Sequence, residues 1–175
     1  PSAPPDAGTL PTPPSTSNRT TWFPCFQQSP ARIPGPVLAS GLAVWLGRDG
    51  TYWGHNAIIR TAAFAAYCGL PDLRGRPPLG GHILSHDFVE AALIRRAGYA
   101  VTMLPVLGGS FEESPPSLID LAARDRRWCQ GNLQHARVMW AKGFHMASRQ
   151  HIATRIIGYQ ASRLWMTQLM VAFVL

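Results

Sequence analysis

Two short stretches hold the residues best suited to chemistry. The first is Gly80-Gly81-His82-Ile83-Leu84-Ser85-His86-Asp87-Phe88-Val89-Glu90, which carries one well-placed acid, Asp87. The second is Arg126-Arg127-Trp128-Cys129-Gln130-Gly131. A carboxylate can take a proton from a hydroxyl group. Guanidinium groups grip phosphate in a planar, two-pronged way, and an indole presents a flat face to a sugar ring. Together these groups suit transfer of a sugar from an anionic donor to a sugar acceptor.

Each candidate also has a plainer reading. Asp87 falls near the start of an expected helix, where an anion is favoured for structural reasons alone. If the acceptor proton leaves late, a weak but well-placed base is enough. Arg126, Arg127 and Trp128 suit a diphosphate and a sugar ring, or else a solvated basic face with the indole in the core. Trp53-Gly54-His55-Asn56 is a polar and aromatic patch near a strand. Asn56 could bond a hydroxyl group or cap a bulge. His82 and His86 are four residues apart, but the glycines before them place His82 ahead of the helix, so no metal site is assigned.

These residues need elements to hold them. Proline supplies ten of the first 36 residues, so 1–36 reads as loop, with an edge strand over Ala7 to Pro14. Val37 to Leu46 reads as helix, Tyr52 to Arg60 as strand, and Thr61 to Tyr67 as a short helix. Residues 70–81 read as a mobile loop rich in proline and glycine. Ser85 is the expected cap of a helix ending at Gly98, followed by a strand within Tyr99 to Pro105. Ser114 is the expected cap of the next helix, with Pro115 in its first turn. The alternation indicates an α/β class.

Charge is uneven. The net charge of +7 comes wholly from residues 121–175, where eight basic side chains face Asp125 alone. Arg124, Arg127, Arg137 and Lys142 lie off the apolar stripe of the helix after Ser114, the pattern of a basic amphipathic helix at a membrane surface. The last twelve residues, Leu164 to Leu175, are mostly apolar. A membrane span needs about 20 such residues, so the expectation is a transmembrane helix entered part-way and a chain that is a fragment. Three separated cysteines, Cys25, Cys68 and Cys129, form no Cys-x-x-Cys pair and fit a reducing compartment. No secretory leader, P-loop or Gly-x-Ser-x-Gly elbow is visible.

Taken together, the motifs resemble those of the membrane-bound processive glycosyltransferases of family 2, relatives of cellulose synthase. The segments that carry the resemblance are Tyr52 to Arg60, Gly80 to Leu93 and Asp125 to Gln134, in the family's order. Residues 31–160 follow the pattern well, and 1–30 follow it weakly. The resemblance implies a partial GT-A-like domain followed by a basic amphipathic helix and the start of a transmembrane helix. Its divisions would be 1–36, an acceptor-side part at 37–113, interface helices at 114–160 and a membrane segment at 161–175.

The resemblance also implies roles. Asp87 falls on the catalytic base. Arg127 falls on the arginine that contacts the donor diphosphate, and Trp128 on the tryptophan that stacks the acceptor sugar. Arg124 occupies the position of the family's motif glutamine, a departure shared with the branch that makes periplasmic glucans, and is carried as a diphosphate contact. Trp53, His55 and Asn56 correspond to the strand lining the acceptor terminus. The implied reaction transfers glucose from UDP-glucose to a growing β-glucan, with inversion, on the cytoplasmic face of a bacterial inner membrane. The implied partners are UDP-glucose, the glucan acceptor and membrane lipid, with no nucleic acid. The divalent metal expected of the family, magnesium, would have its ligands ahead of residue 1, so the fragment alone is expected to be inactive. The alternative reading is a non-catalytic basic module that binds membranes or anions.

Overall fold

A computed structural model describes residues 4–17, 22, 23, 25 and 34–174. Most of the proline-rich stretch 18–33 therefore lies outside the described residues. The class is mixed α/β, with two small sheets and five helices among the described residues. β1 (Ala7–Pro11) lies between β3 (Ala57–Ile59) and β4 (Ala100–Val101), antiparallel to the first and parallel to the second. β2 (Ser15–Ser17) pairs in parallel with β5 (Phe111–Glu113).

β1 is thus a central strand, not the expected edge strand. It is buried along its whole length, as a strand covered on both faces must be. Pro11 is tolerated because it is the last residue and still accepts from the Leu104 amide at 2.9 Å. Gly8 lets the sheet meet its covering helix. A Cβ there would lie 2.5 Å from Ile94 Cγ2. Arg60 ties the sheet's start together, donating from Nε to the Ala7 carbonyl at 2.9 Å and from Nη2 to that of Pro5 at 2.7 Å.

The helices are α1 (Pro34–Leu46), α2 (Thr61–Tyr67), α3 (Asp87–Arg96), α4 (Leu118–Val138) and α5 (Met146–Val174). α3 is the centre of the core. Phe88 to Ile94 are all buried, and they cluster with Tyr52, Ile83, Val101, Phe144 and Ile152. Buried Glu90 does not stay unpaired there. It accepts from the Tyr52 hydroxyl and pairs with His86 Nδ1 at 3.0 Å, which offsets its desolvation.

Several helix starts differ from the sequence expectation. α3 begins at Asp87, with His86 rather than Ser85 as its cap. The Ser85 hydroxyl instead donates to Asp87 Oδ1 at 2.9 Å. α4 is capped by Ser117, not Ser114, its hydroxyl accepting from the Asp120 amide at 3.2 Å. Segment 70–81 is pinned rather than free, because Leu73 and Gly81 exchange two backbone hydrogen bonds.

α5 packs its first half on α3 and α4. Arg149 organises the turn between α4 and α5, donating to the carbonyls of Met139, Ala141 and Phe144. The helix continues unbroken across the expected boundary at 160/161. Among the described residues no helix is long and apolar enough to cross a membrane. The expected start of a transmembrane helix at 161–175 is therefore not supported by a span among the described residues; Arg155 and Arg163 lie on α5 ahead of the apolar residues from Leu164. That run is nonetheless exposed, with Leu164, Trp165, Leu169 and Phe173 between 63% and 92% accessible.

Candidate active site

A cleft of about 1080 Å³ is lined by several separate segments, three of which carry the expected site residues. The turn before β3 brings Trp53, Gly54 and His55. The start of α3 brings Ser85, His86, Asp87 and Phe88. α4 brings Arg124, Arg127, Trp128 and Asn132. Six of the seven expected site residues therefore share one cavity. Asn56 does not line it.

The meeting depends on two glycines. Gly54 has φ +80°, and a Cβ there would lie 3.4 Å from Asp87 Cβ, so the Trp53–His55 turn runs directly against the acid. Gly131 lies one helical turn beyond Arg127 and Trp128. A Cβ there would lie 2.5 Å from the Ser85 amide nitrogen, so α4 approaches the acid's segment backbone to side.

Asp87 is the first residue of its helix, where unpaired amides favour an anion. Its Oδ1 is engaged by Ser85, which fixes the carboxylate's rotation. The Arg124 guanidinium stacks over the Trp128 ring at 4.5 Å from its centroid. One indole face is thereby covered by a cation, and the half-buried ring lines the cleft. Arg127 is exposed on the same helix and lines the cleft.

Asn56 serves the scaffold. Its Nδ2 donates to Ser110 Oγ at 2.6 Å and to the Phe111 carbonyl at 3.2 Å, and its φ of +52° lies in the left-handed region that asparagine tolerates. The amide nitrogen joins the start of β3 to β5, and Asn56, expected at the acceptor, is not brought into the cleft. His55 sits between that amide and Glu112, its Nε2 3.7 Å from Glu112 Oε1.

Three features escaped the sequence reading. Arg155 and Tyr159, one turn apart on α5, also line the cleft, and Arg155 stacks over the Phe88 ring at 4.6 Å. Their spacing of four was visible, but nothing in the sequence said which face of α5 would turn toward Asp87. The third is the Tyr52–Glu90–His86 group behind the acid. Its hydrogen bond to Glu90 holds the His86 imidazole above its usual pKa, against the opposing effect of burial. His82 pairs instead with Asp72 and takes no part. Among the described residues no group of three or more His, Cys, Asp or Glu side chains is arranged to hold a metal ion. The magnesium expected of the family finds no fit among these residues.

The arrangement can deprotonate a hydroxyl, stack a ring and meet an anion with up to three guanidinium groups. The description glycosyl transferase family group 2 matches residues 39–175. The chain is 61% identical over 162 residues to glucans biosynthesis glucosyltransferase H of Vibrio cholerae serotype O1, covering 93% of this chain and 22% of that protein. It is 56% identical over 173 residues to the protein of the same name from Shewanella sp. strain ANA-3, covering 99% of this chain and 24% of the relative. The same figures hold for the Shewanella oneidensis protein. The chain thus spans about a quarter or less of the length of these relatives. No solved structure matches it. With most of its length inside the matched region, including the cleft-lining residues from Trp53 to Tyr159, the chain belongs to glycosyl transferase family group 2.

Proposed function

We propose that this chain is the acceptor-side part of an inverting hexosyltransferase that moves glucose from UDP-glucose onto a growing β-linked glucan in periplasmic glucan synthesis. The observation that carries the reading is the convergence of Asp87, Arg127, Trp128, Trp53 and His55 on one cleft from segments far apart in sequence. The relatives named glucans biosynthesis glucosyltransferase H support glucose as the transferred sugar and a glucan as the product.

The chemistry follows from the groups present. A sugar stacked on the free face of Trp128 presents a hydroxyl to Asp87. With Oδ1 engaged by Ser85, Oδ2 takes the proton as the hydroxyl oxygen bonds to the donor's anomeric carbon. The bond from that carbon to the diphosphate breaks, and UDP leaves on the opposite face. Arg127 meets its charge, with Arg124 and Arg155 adding positive potential to the same cleft. One displacement by one base inverts the anomeric configuration, the logic that separates single from double displacement in glycoside hydrolysis.

We place the protein at a bacterial inner membrane with the cleft on the cytoplasmic side. The exposed apolar end of α5 and the arginines before it support contact with lipid. A GT-A-like arrangement of the whole catalytic domain belongs to the same reading, with its magnesium ligands assigned to no residue of this chain.

The test is Asp87→Asn in the full-length protein, assayed for glucan synthesis with UDP-glucose and magnesium. Removing a base costs about 10²–10⁴-fold in rate. Near-normal synthesis would overturn the reading and favour a non-catalytic module that binds anionic membranes, for which Asp87 is dispensable.

A further inference from the structure

We propose that Gln134 and His135 are positioning residues for Asp87. From behind the cleft they hold the backbone that carries the acid, and they hold it to the same helix that carries Arg127 and Trp128. The inference rests on reading Asp87 as the base.

Both side chains are fully buried, and neither lines the cleft. Gln134 uses both ends of its amide. Its Oε1 accepts from the Leu84 amide at 3.0 Å, and its Nε2 donates to the carbonyls of Gly80 at 3.1 Å and His82 at 2.9 Å. His135 Nε2 lies 2.6 Å from the Ser85 carbonyl. Since a carbonyl only accepts, that nitrogen carries the proton. Burial lowers the His135 pKa, so the ring is neutral and this tautomer is the one present. The Ser85 hydroxyl then donates to Asp87 Oδ1. An unbroken chain of contacts therefore runs from α4 through Ser85 to the carboxylate.

The segment needs this support. Residues 82–85 belong to no strand or helix, so their backbone polar groups have no ladder to join. An apolar side chain at 134 would leave several of them without partners, each a costly loss. The spacing on α4 is also specific. Trp128, Gly131 and His135 recur at three- and four-residue steps and share one face. Gly131 permits the approach, His135 and Gln134 lock it, and Trp128 extends from the same face into the cleft. The separation between the base and the acceptor platform is thus set within one rigid contact rather than across loops.

The expected consequence is a loss in kcat with little change in donor KM, because the donor's own contacts are kept. A displacement of the base by about 1 Å is worth roughly 10²-fold in rate. In full-length protein, Gln134→Leu and His135→Leu should lower kcat per folded enzyme about 10- to 100-fold, with the UDP-glucose KM within about twofold. His135→Gln, which retains a donor toward Ser85, should recover most of the rate. Where the leucine variants do not fold, Gln134→Glu, which loses the Nε2 donor to the Gly80 and His82 carbonyls, carries the same comparison.

The deciding measurement combines each variant with Asp87→Asn. If Gln134 and His135 act through the base, they have no further effect once it is gone, so the losses are not additive. Additive losses, or variants with normal kcat, overturn the positioning role while leaving Asp87 as the base. Normal synthesis by Asp87→Asn alone overturns the base itself, a different result from either.

Discussion

Gly131 of α4 meets Ser85 so closely that a methyl group has no room. A Cβ at 131 would lie 2.5 Å from the Ser85 amide nitrogen and 2.7 Å from its Cβ. The neighbour is backbone on an already bonded segment, so it cannot rotate away. Gly131→Ala should therefore destabilise the fold by about 1–3 kcal/mol, the usual cost of overpacking. The better helix propensity of alanine, worth about 1 kcal/mol, would offset only part of this. Denaturant titration checks the sign: a stabilised variant would mean that α4 and the Ser85 segment separate readily.

If, as proposed, the indole stacks the acceptor and Arg127 meets the diphosphate, Trp128→Ala should reduce chain elongation more than it reduces UDP binding. Aromatic stacking is worth about 0.5–1.5 kcal/mol, so the acceptor KM should rise roughly two- to tenfold. Arg124→Leu should produce a smaller loss of the same kind, since its guanidinium lies on the indole at 4.5 Å. Equal losses in elongation and UDP binding for Trp128→Ala would count against stacking. Kinetics with varied acceptor, beside calorimetric UDP binding, separate the two.

Asn56 should behave as a scaffold residue. Asn56→Ala loses two hydrogen bonds, to Ser110 and Phe111, and places a Cβ residue at φ +52° without the amide that favours it. At about 0.5–1.5 kcal/mol per hydrogen bond, thermal unfolding should show a loss of roughly 1–3 kcal/mol. Asn56→Gly, which fits that φ freely, should lose less. Acceptor KM should not change in either. A large rise in acceptor KM at unchanged stability would return Asn56 to the binding site.

The His86–Glu90 pair makes stability depend on pH in a definite direction. The hydrogen bond to Glu90 raises the folded-state pKa of His86 above its unfolded value of about 6.5. Its contribution is therefore complete below about pH 6.5 and is lost as pH rises through the raised value. His135 acts on the other side. Burial lowers its folded value, so stability falls as pH drops below about 6.5 and the unfolded chain takes up the proton that the folded ring resists. His86→Gln should flatten the decline above pH 6.5 while leaving the acid limb intact. Unfolding midpoints measured from pH 5 to 9 give the comparison, and an unchanged alkaline slope would rule out the pair as its cause.

The sequence by itself determined which residues could do the chemistry. Asp87, Arg127 and Trp128 are distinguished by type and by order along the chain, and those properties survive without coordinates. It also determined most helix positions, because helical periodicity and caps are local signals. It misplaced the cap of α4, where two serines lay close enough to compete, and that of α3, where the Ser85 hydroxyl bonds Asp87 instead, and it set β1 at an edge because local composition does not say how many strands flank a strand. Tertiary structure alone decided which candidates meet. Asn56 was separated from Trp53 by a backbone turn that spends its amide on β5, while Arg155 and Tyr159 were brought in by the face α5 turns toward α3. It also decided that Gln134 and His135, two polar residues read as nothing in particular, are buried against the segment that bears the acid. Such contacts join residues about fifty positions apart, and no local pattern encodes a partner at that separation. The pairing of the two opening motifs is physical, through Gly131 and Ser85, and only the packed chain contains it.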